Sequence, residues 1–282
     1  MSSELSRTGS RPSAATVHSL ARGRWRLGAE VAVDQAPRLS YWDSTRRPLP
    51  SLFLVSPLMV VYEAGAVRME GAGGSVVRTG ADAWMRESLA SIGLTDPWTL
   101  PVLLVIILLG WQAAGPRDWR FGPSILAGMV IESLILAVSL IGISRLLDLG
   151  FAFLERHGPP VFLNLEPAVD FELTRLFGYL GAGIYEEALF RLILVPLLFG
   201  LLRLLQAPQI LASALAVTGS ALLFSLAHHA GTPGEIFTWY AFIFRWLAGV
   251  FFAWVFVIRG FGIAVGTHTF YDILVGWVGW HL

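Results

Sequence analysis

The sequence predicts an all-α protein, a polytopic transmembrane helical bundle of about seven membrane helices, with a range of six to eight. Apolar residues make up 55% of the 282 positions and charged residues only 14%, and the mean hydropathy is +0.64. These values are typical of polytopic membrane proteins. The apolar runs are continuous and not alternating, so we expect helices, which satisfy their own backbone groups in lipid, and not barrel strands.

The first 50 residues are polar and rich in Ser, Arg and Pro. They contain eight Arg, four acidic residues and no apolar run of the kind that a signal peptide requires. We therefore predict a flexible N-terminal arm over 1–50 and an integral membrane domain over 51–282. If the helices alternate, several Arg-bearing segments lie on the side of this arm, which favours a cytoplasmic N-terminus.

Hydropathy predicts the membrane helices in order along the chain. The apolar spans lie at about 52–67, 98–114, 123–144, 173–204, 209–229, 237–258 and 261–280. Between the third and fourth spans, residues 145–172 include Gly158-Pro159-Pro160 and several acidic residues. We expect this segment to form a loop with an interfacial helix.

Composition excludes several classes of function. Twenty Arg balance twenty acidic residues, which leaves no basic surplus for binding nucleic acid, so no nucleic-acid partner is predicted. The absence of cysteine excludes thiol catalysis and Cys-ligated metal. Every basic residue is Arg, which favours a bacterial source. The predicted location is therefore a cell membrane, as a multi-pass protein of the bacterial inner membrane, in contact with membrane lipid.

The fourth span contains charged residues in a segment that is otherwise apolar. Glu186, Glu187 and Arg191 lie within it, and ionisable groups at membrane depth are costly and are usually functional. Successive helical residues point about 100° apart, so the two glutamates are expected to have different neighbours. Glu187 and Arg191 are spaced i, i+4 with the acid first, which favours an ion pair. Glu186 must then find a partner on another helix.

Two later spans supply candidate partners. His228 lies near the end of the fifth span, and His268 and Asp272 are spaced i, i+4 in the last span. Each feature alone also fits ordinary packing or a structural ion pair, and Glu63 and Glu132 are expected to be hydrogen-bonding residues of the bundle. Because three apolar helices each carry ionisable groups, we predict that these groups converge on one water-accessible cavity. The sequence favours residues 173–282 as the catalytic core.

These motifs are Glu-Glu-x-x-x-Arg, Phe-x-x-x-His and His-x-x-x-Asp, and their order resembles the CPBP family of CAAX-protease and bacteriocin-processing membrane endopeptidases. The likeness covers roughly residues 180–275. It implies an intramembrane endopeptidase in which Glu186 and His228 activate water. His268 and Asp272 form the other wall of the site, supported by Glu187 and Arg191. Where the family has Asn at the last motif position, this chain has Asp272, and we expect it to orient His268.

The resemblance implies a protein or peptide substrate associated with the membrane, cut at a leader or a C-terminal sorting or anchor segment. No cofactor is predicted. A zinc-dependent protease on the same residues is a second interpretation, although His-Glu-x-x-His is absent. A third interpretation is a non-enzymatic transporter or bacteriocin-immunity protein with a proton-carrying carboxylate.

Overall fold

A computed structural model of the chain describes residues 40–71, 78–115, 119–157, 173–230 and 236–276. Within these ranges the regular secondary structure is helical, without strands. The predicted helical membrane bundle is therefore confirmed. The predicted arm lies mostly outside the described residues, which begin at Ser40; a short helix and the start of the next one occupy 41–50.

The described residues form ten α-helices in chain order. They are α1 (Tyr41–Thr45), α2 (Pro48–Gly71), α3 (Gly80–Ala90), α4 (Thr99–Ala114), α5 (Pro123–His157), α6 (Leu173–Gly181), α7 (Val195–Leu204), α8 (Gln209–Ala227), α9 (Trp239–Arg259) and α10 (Phe261–Gly276). Two π-helical segments, Ala182–Glu186 and Ala188–Leu194, join α6 to α7. We call the continuous run from α6 to α7 the site helix.

Each predicted span overlaps a helix of the described part of the chain, although residues 277–280 of the last span lie outside the described residues. Helix α3 was not predicted. Helices that are long and apolar enough to cross a membrane include Pro48–Met69, Pro123–Leu154, Gln209–Ala227 and Trp239–Arg259, and Thr99–Ala114 is a shorter apolar helix. Many of their large apolar side chains are exposed on the protein surface. Such a surface is stable only in an apolar solvent, so the chain is a multi-pass membrane protein.

Helix α5 is longer than the sequence predicted. It continues to His157, so the first part of the predicted loop over 145–172 is helical, and residues 158–172 lie outside the described residues. The extension packs on α9, where the ring of Phe151 lies 5.4 Å from that of Tyr240 and the Tyr240 hydroxyl hydrogen-bonds to Asp148. These tertiary contacts keep the helix intact past the end of its most apolar part.

Helix α10 lies at the centre of the bundle. Its residues from Phe261 to Thr269 are all buried, and it packs on α5, α2, α9 and the first π-helical segment. Two glycines permit the close packing of α10. A Cβ at Gly262 would meet Ser51 and Met129 at 2.8 Å, and a Cβ at Gly266 would meet Ser133 at 2.5 Å. The Gly-x-x-x-Gly spacing of Gly262 and Gly266 therefore lets α10 approach its neighbours closely.

Polar networks stabilise both ends of the bundle. Near the start of α10, Arg259 pairs with Glu132 of α5 and lies 3.8 Å above the ring of Trp42. The hydroxyl of Tyr41 donates to the same glutamate at 2.7 Å. At the other end, Glu63 of α2 is bonded to side chains of α3 and of the site helix. Both glutamates therefore hydrogen-bond within the bundle.

Candidate active site

The site helix changes geometry where its charged residues lie. Residues 182–186 and 188–194 are π-helical, a form that is rare and is often found at functional sites. A π-helix has more residues per turn than an α-helix, so neighbouring side chains diverge by a smaller angle. Glu186 and Glu187 consequently approach the same imidazole, although α-helical geometry predicted different neighbours for them.

The centre of the site is an ion pair joined to a histidine. Glu187 Oε1 lies 3.1 Å from Arg191 Nη1 and 2.8 Å from His268 Nδ1. Glu187 and Arg191 have 0% exposure and His268 has 5%. Charges this deeply buried are tolerated only when they are paired and hydrogen-bonded. The predicted i, i+4 pair is present, and it also holds the histidine of α10.

Aromatic rings enclose the Arg191 guanidinium. Its Cζ atom lies 4.4 Å from the ring centroid of Phe224 and 5.3 Å from that of Phe252, and Nη2 donates to the carbonyl oxygen of Gly249 at 3.3 Å. Cation–π contacts are strongest where water is excluded. Phe252 also stacks on the ring of His268, with centroids 4.5 Å apart. The rings therefore fix both the cation and the imidazole.

Glu186 faces the two histidines of the other helices. Its Oε2 atom lies 3.8 Å from His228 Nε2 and 3.9 Å from His268 Nε2. His228 is oriented by its other nitrogen, because Nδ1 lies 2.9 Å from the carbonyl oxygen of Phe224. Asp272 Oδ2 lies 3.6 Å from His268 Nε2. The structure thus brings together the four residues that the sequence nominated from three separate spans.

Exposure increases from the ion pair towards the rim of the site. The side chains of Arg191 and Glu187 are 1% and 0% exposed, whereas those of Glu186, Asp272 and His228 are 12%, 20% and 25% exposed. The buried pair therefore forms the floor, and the three groups above it reach the protein surface.

Sequence reasoning missed two residues of this site. Phe252 gave no signal, because α9 is rich in aromatic residues throughout. Arg245 did give one, since it is an ionisable residue inside an apolar span. Helices α9 and α10 are antiparallel, with Phe252 on His268 and Phe244 on Tyr271. This register places Arg245 level with Asp272, within electrostatic range of Asp272 and Glu186.

The described side chains include no group of three or more His, Asp or Glu that could hold a metal ion. Three carboxyl groups lie near His268: that of Glu187 at 2.8 Å from Nδ1, and those of Asp272 and Glu186 at 3.6 and 3.9 Å from Nε2.

Comparisons with known proteins agree with the resemblance seen in the motifs. A family model, described as "Type II CAAX prenyl endopeptidase Rce1-like", matches residues 170–274. No curated protein and no solved structure matches the chain. The matched segment runs from just before α6 into α10 and contains every nominated site residue. Such a match supports an intramembrane protease, a hydrolase, as the class of protein. Residues 170–274 of this chain therefore carry the signature of the Rce1-like type II CAAX endopeptidases, consistent with the CPBP/CAAX protease family.

Proposed function

We propose that this protein is an intramembrane endopeptidase that hydrolyses a peptide bond of a membrane-associated protein or peptide. The observation that carries the proposal is the pair of distances from Glu186 Oε2 to the Nε2 atoms of His228 and His268, 3.8 and 3.9 Å. Both exceed the length of a direct hydrogen bond. A single water molecule between these three atoms could hydrogen-bond to all of them.

Glu186 is the proposed general base. It takes a proton from a water molecule that His228 also holds, and the resulting hydroxide adds to the scissile carbonyl carbon. The carboxyl group then returns the proton to the leaving amine as the C–N bond breaks. No covalent acyl-enzyme is needed. Ser225, the hydroxyl nearest to His228 in the motif, is buried and donates to the carbonyl oxygen of Phe242 at 2.7 Å.

His268 is the proposed oxyanion donor. Its Nδ1 atom is engaged by Glu187, so Nε2 donates a hydrogen bond only when the ring carries both protons. The carboxyl groups of Glu187 and Asp272 lie at opposite nitrogens of the ring, at 2.8 and 3.6 Å. A carboxylate has no proton to donate to an oxyanion, so the donor role is assigned to His268 and not to Asp272. In this proposal Asp272 orients the imidazole from the Nε2 side, while Glu187 fixes the direction of the ring.

The proposed substrate is a leader peptide or a C-terminal sorting or anchor segment, and the proposed location is a bacterial inner membrane. The bacterial source is supported by the composition, in which every basic residue is Arg. The membrane-associated substrate is supported by the surroundings of the site. The partly exposed groups Glu186, His228 and Asp272 lie among helices that carry large exposed apolar side chains. A substrate already held in the membrane reaches such a site without leaving the lipid.

The test compares cells that express the wild type, Glu186→Gln or Glu87→Gln. Glu87 is an exposed carboxylate of α3 and serves as the matched control. Quantitative proteomics of N-terminal and C-terminal peptides should find a precursor that accumulates uncut only with Glu186→Gln. A purified Glu186→Gln protein that still cleaves this precursor would exclude the proposed role of Glu186.

The same assay separates the other interpretations. A zinc protease loses activity when a chelator removes the metal and recovers it when zinc is restored, whereas we expect hydrolysis to continue unchanged in chelator. A transporter or immunity protein would lose transport or protection in Glu186→Gln cells while no peptide changed its length.

A further inference from the structure

The residue that precedes Glu186 is tied to a polar cluster outside the site. Tyr185 is fully buried, and its hydroxyl donates to Glu63 of α2. Arg86 of α3 donates from Nη2 to the same oxygen of Glu63 at 2.7 Å. We call Glu63, Arg86 and Tyr185 the clamp. None of these side chains contacts the proposed reacting atoms, yet one of them is covalently next to the proposed base.

Arg86 is held in turn by α3 and by the segment before α4. Its Nε atom donates to Asp82 Oδ1 at 2.6 Å, and its Nη1 atom donates to the carbonyl oxygen of Pro97 at 2.6 Å. Asp82 is itself completely buried and accepts a hydrogen bond from Arg78 at 2.9 Å. Because every arm of the Arg86 guanidinium is used, Glu63 is fixed in position, and Tyr185 with it.

The clamp acts on the π-helical turn that presents Glu186. Tyr62, next to Glu63 on α2, occupies the space beside Gly181, and Glu63 binds Tyr185. These contacts fall at the two ends of the first π-helical segment. On its opposite side, the segment touches α10, where Thr269 lies against Gly183. The wide turn is therefore held between α2 and α10.

A π-helical turn is rare compared with an α-helical turn, and such turns are frequent at functional sites. A buried ion pair is a weak source of stability, because apolar residues of similar volume often replace one without loss. Burying the carboxylates of Glu63 and Asp82 with Arg86 is therefore unfavourable if the cluster only packs Tyr185. The cluster is explained if it fixes the orientation of Glu186, since catalytic groups must be held within a fraction of an ångström.

We propose that Glu63, Arg86 and Tyr185 are positioning residues that set the orientation of Glu186 towards His228 and His268. The expected fall in kcat rests on the proposed function, whereas the expected change in the position of Glu186 does not. Loss of the Tyr185 hydroxyl lets the turn relax. The distances from Glu186 to the two imidazoles then change, while the residues that contact the substrate remain the same.

The experiment compares Tyr185→Phe with Tyr62→Phe, a closely matched control. Both tyrosines are almost fully buried in the same cluster, and each hydroxyl donates to a carboxylate, that of Tyr62 to Asp82 at 2.7 Å. Only Tyr185 adjoins Glu186 in the chain. We expect Tyr185→Phe to lower kcat by about tenfold to a hundredfold with little change in KM. Tyr62→Phe keeps the ring that fills the space beside Gly181, so it should lower the melting temperature by a similar amount and leave kcat close to that of the wild type.

A second measurement does not require hydrolysis. The protein is labelled with ¹⁵N-histidine, and the signals of His228 and His268 are assigned from the variants His228→Gln and His268→Gln. We expect Glu186→Gln to shift both imidazole signals in the wild-type background and to shift them much less in the Tyr185→Phe background. If Tyr185→Phe does not fold, Glu63→Gln is measured in its place.

The outcomes separate this inference from the proposed function. Equal effects of Tyr185→Phe and Tyr62→Phe on kcat, together with unchanged imidazole shifts, would overturn the clamp. A wild type that hydrolyses no precursor would overturn the endopeptidase, and the imidazole shifts would then decide on the clamp alone.

Discussion

Glu186 and Glu187 are adjacent carboxylates in different surroundings. Glu187 is completely buried and is bonded to His268 while paired with Arg191. Glu186 is partly exposed, and its Oε2 atom has no direct hydrogen-bond partner among the described side chains. Removing the charge of Glu187 therefore leaves a buried guanidinium without its counter-ion, whereas the same change at Glu186 breaks no direct bond.

We expect Glu187→Gln to lower the free energy of unfolding by about 3 kcal/mol, the usual cost of breaking a buried pair. Activity should fall as well, because His268 loses the acceptor that orients it. Glu186→Gln is the matched control, and its melting temperature should stay near that of the wild type. Thermal unfolding in detergent measures both variants. A stable Glu187→Gln protein would show that the pair contributes no stability.

Arg191 is a case where Lys cannot replace Arg. A lysine has a point charge and cannot spread over the rings of Phe224 and Phe252 while also reaching the carbonyl oxygen of Gly249. We expect Arg191→Lys to lower the free energy of unfolding by about 1–2 kcal/mol. Arg203→Lys is the control, because Arg203 is exposed and its Nη1 atom donates to the carbonyl oxygen of Ala207, just beyond the end of α7. Equal melting temperatures for the two variants would contradict this explanation.

At the scale of the element, the π-helical geometry of the site helix depends on the helices that pack against it. Nothing in Ala182–Leu194 marks it as π-helical by composition, and the apolar pattern predicted an ordinary helix over 173–204. The wider turns bring Glu186 and Glu187 to one imidazole, an outcome that α-helical geometry did not predict. The ion pair of Glu187 and Arg191 was predictable, since i, i+4 spacing is a local property. The bond to His268 was not, because it depends on how α10 packs.

The contact between the first π-helical segment and α10 is tested by Gly183→Ala. A Cβ at Gly183 would lie 3.0 Å from the backbone nitrogen of Thr269, and closer still to its hydroxyl. We expect a loss of about 1–3 kcal/mol in the free energy of unfolding, with reduced hydrolysis because Glu186 moves away from α10.

The control for this change is Gly178→Ala in α6, where an added Cβ meets nothing within 4 Å. Alanine is a better helix former than glycine, so this variant should gain up to about 1 kcal/mol. Thermal unfolding and hydrolysis rates measured together distinguish the two positions. Retention of full activity by Gly183→Ala would mean that the segment tolerates displacement from α10.

At the scale of the whole molecule, the middle of α9 contacts the candidate site and its C-terminal end contacts the helices at the other end of the bundle. Phe252 stacks on the proposed oxyanion donor, and Arg259, about 10 Å further along the helix, holds Glu132 at the other end of the bundle. The site therefore depends on the middle of α9, and the connection to α1 and α5 depends on its end.

We expect Arg259→Gln to lower the melting temperature and to leave kcat and KM near the wild-type values when both proteins are measured well below their transitions. The loss in the free energy of unfolding should be about 1–3 kcal/mol, because Glu132 is left partly buried without its counter-ion. A large fall in kcat at low temperature would show that the two ends of α9 are coupled.

The sequence by itself determined the membrane class, the approximate positions of the apolar spans, and six residues that meet in the site, namely Glu186, Glu187, Arg191, His228, His268 and Asp272. Continuous apolar runs have few stable forms in lipid, and charges inside them are too costly to remain unpaired. The tertiary structure decided which atoms meet. It assigned Nδ1 of His268 to Glu187, it extended α5 to His157, and it introduced the π-helical turns between α2 and α10. These features depend on distances between helices, and the spacing of residues along one chain does not fix such distances.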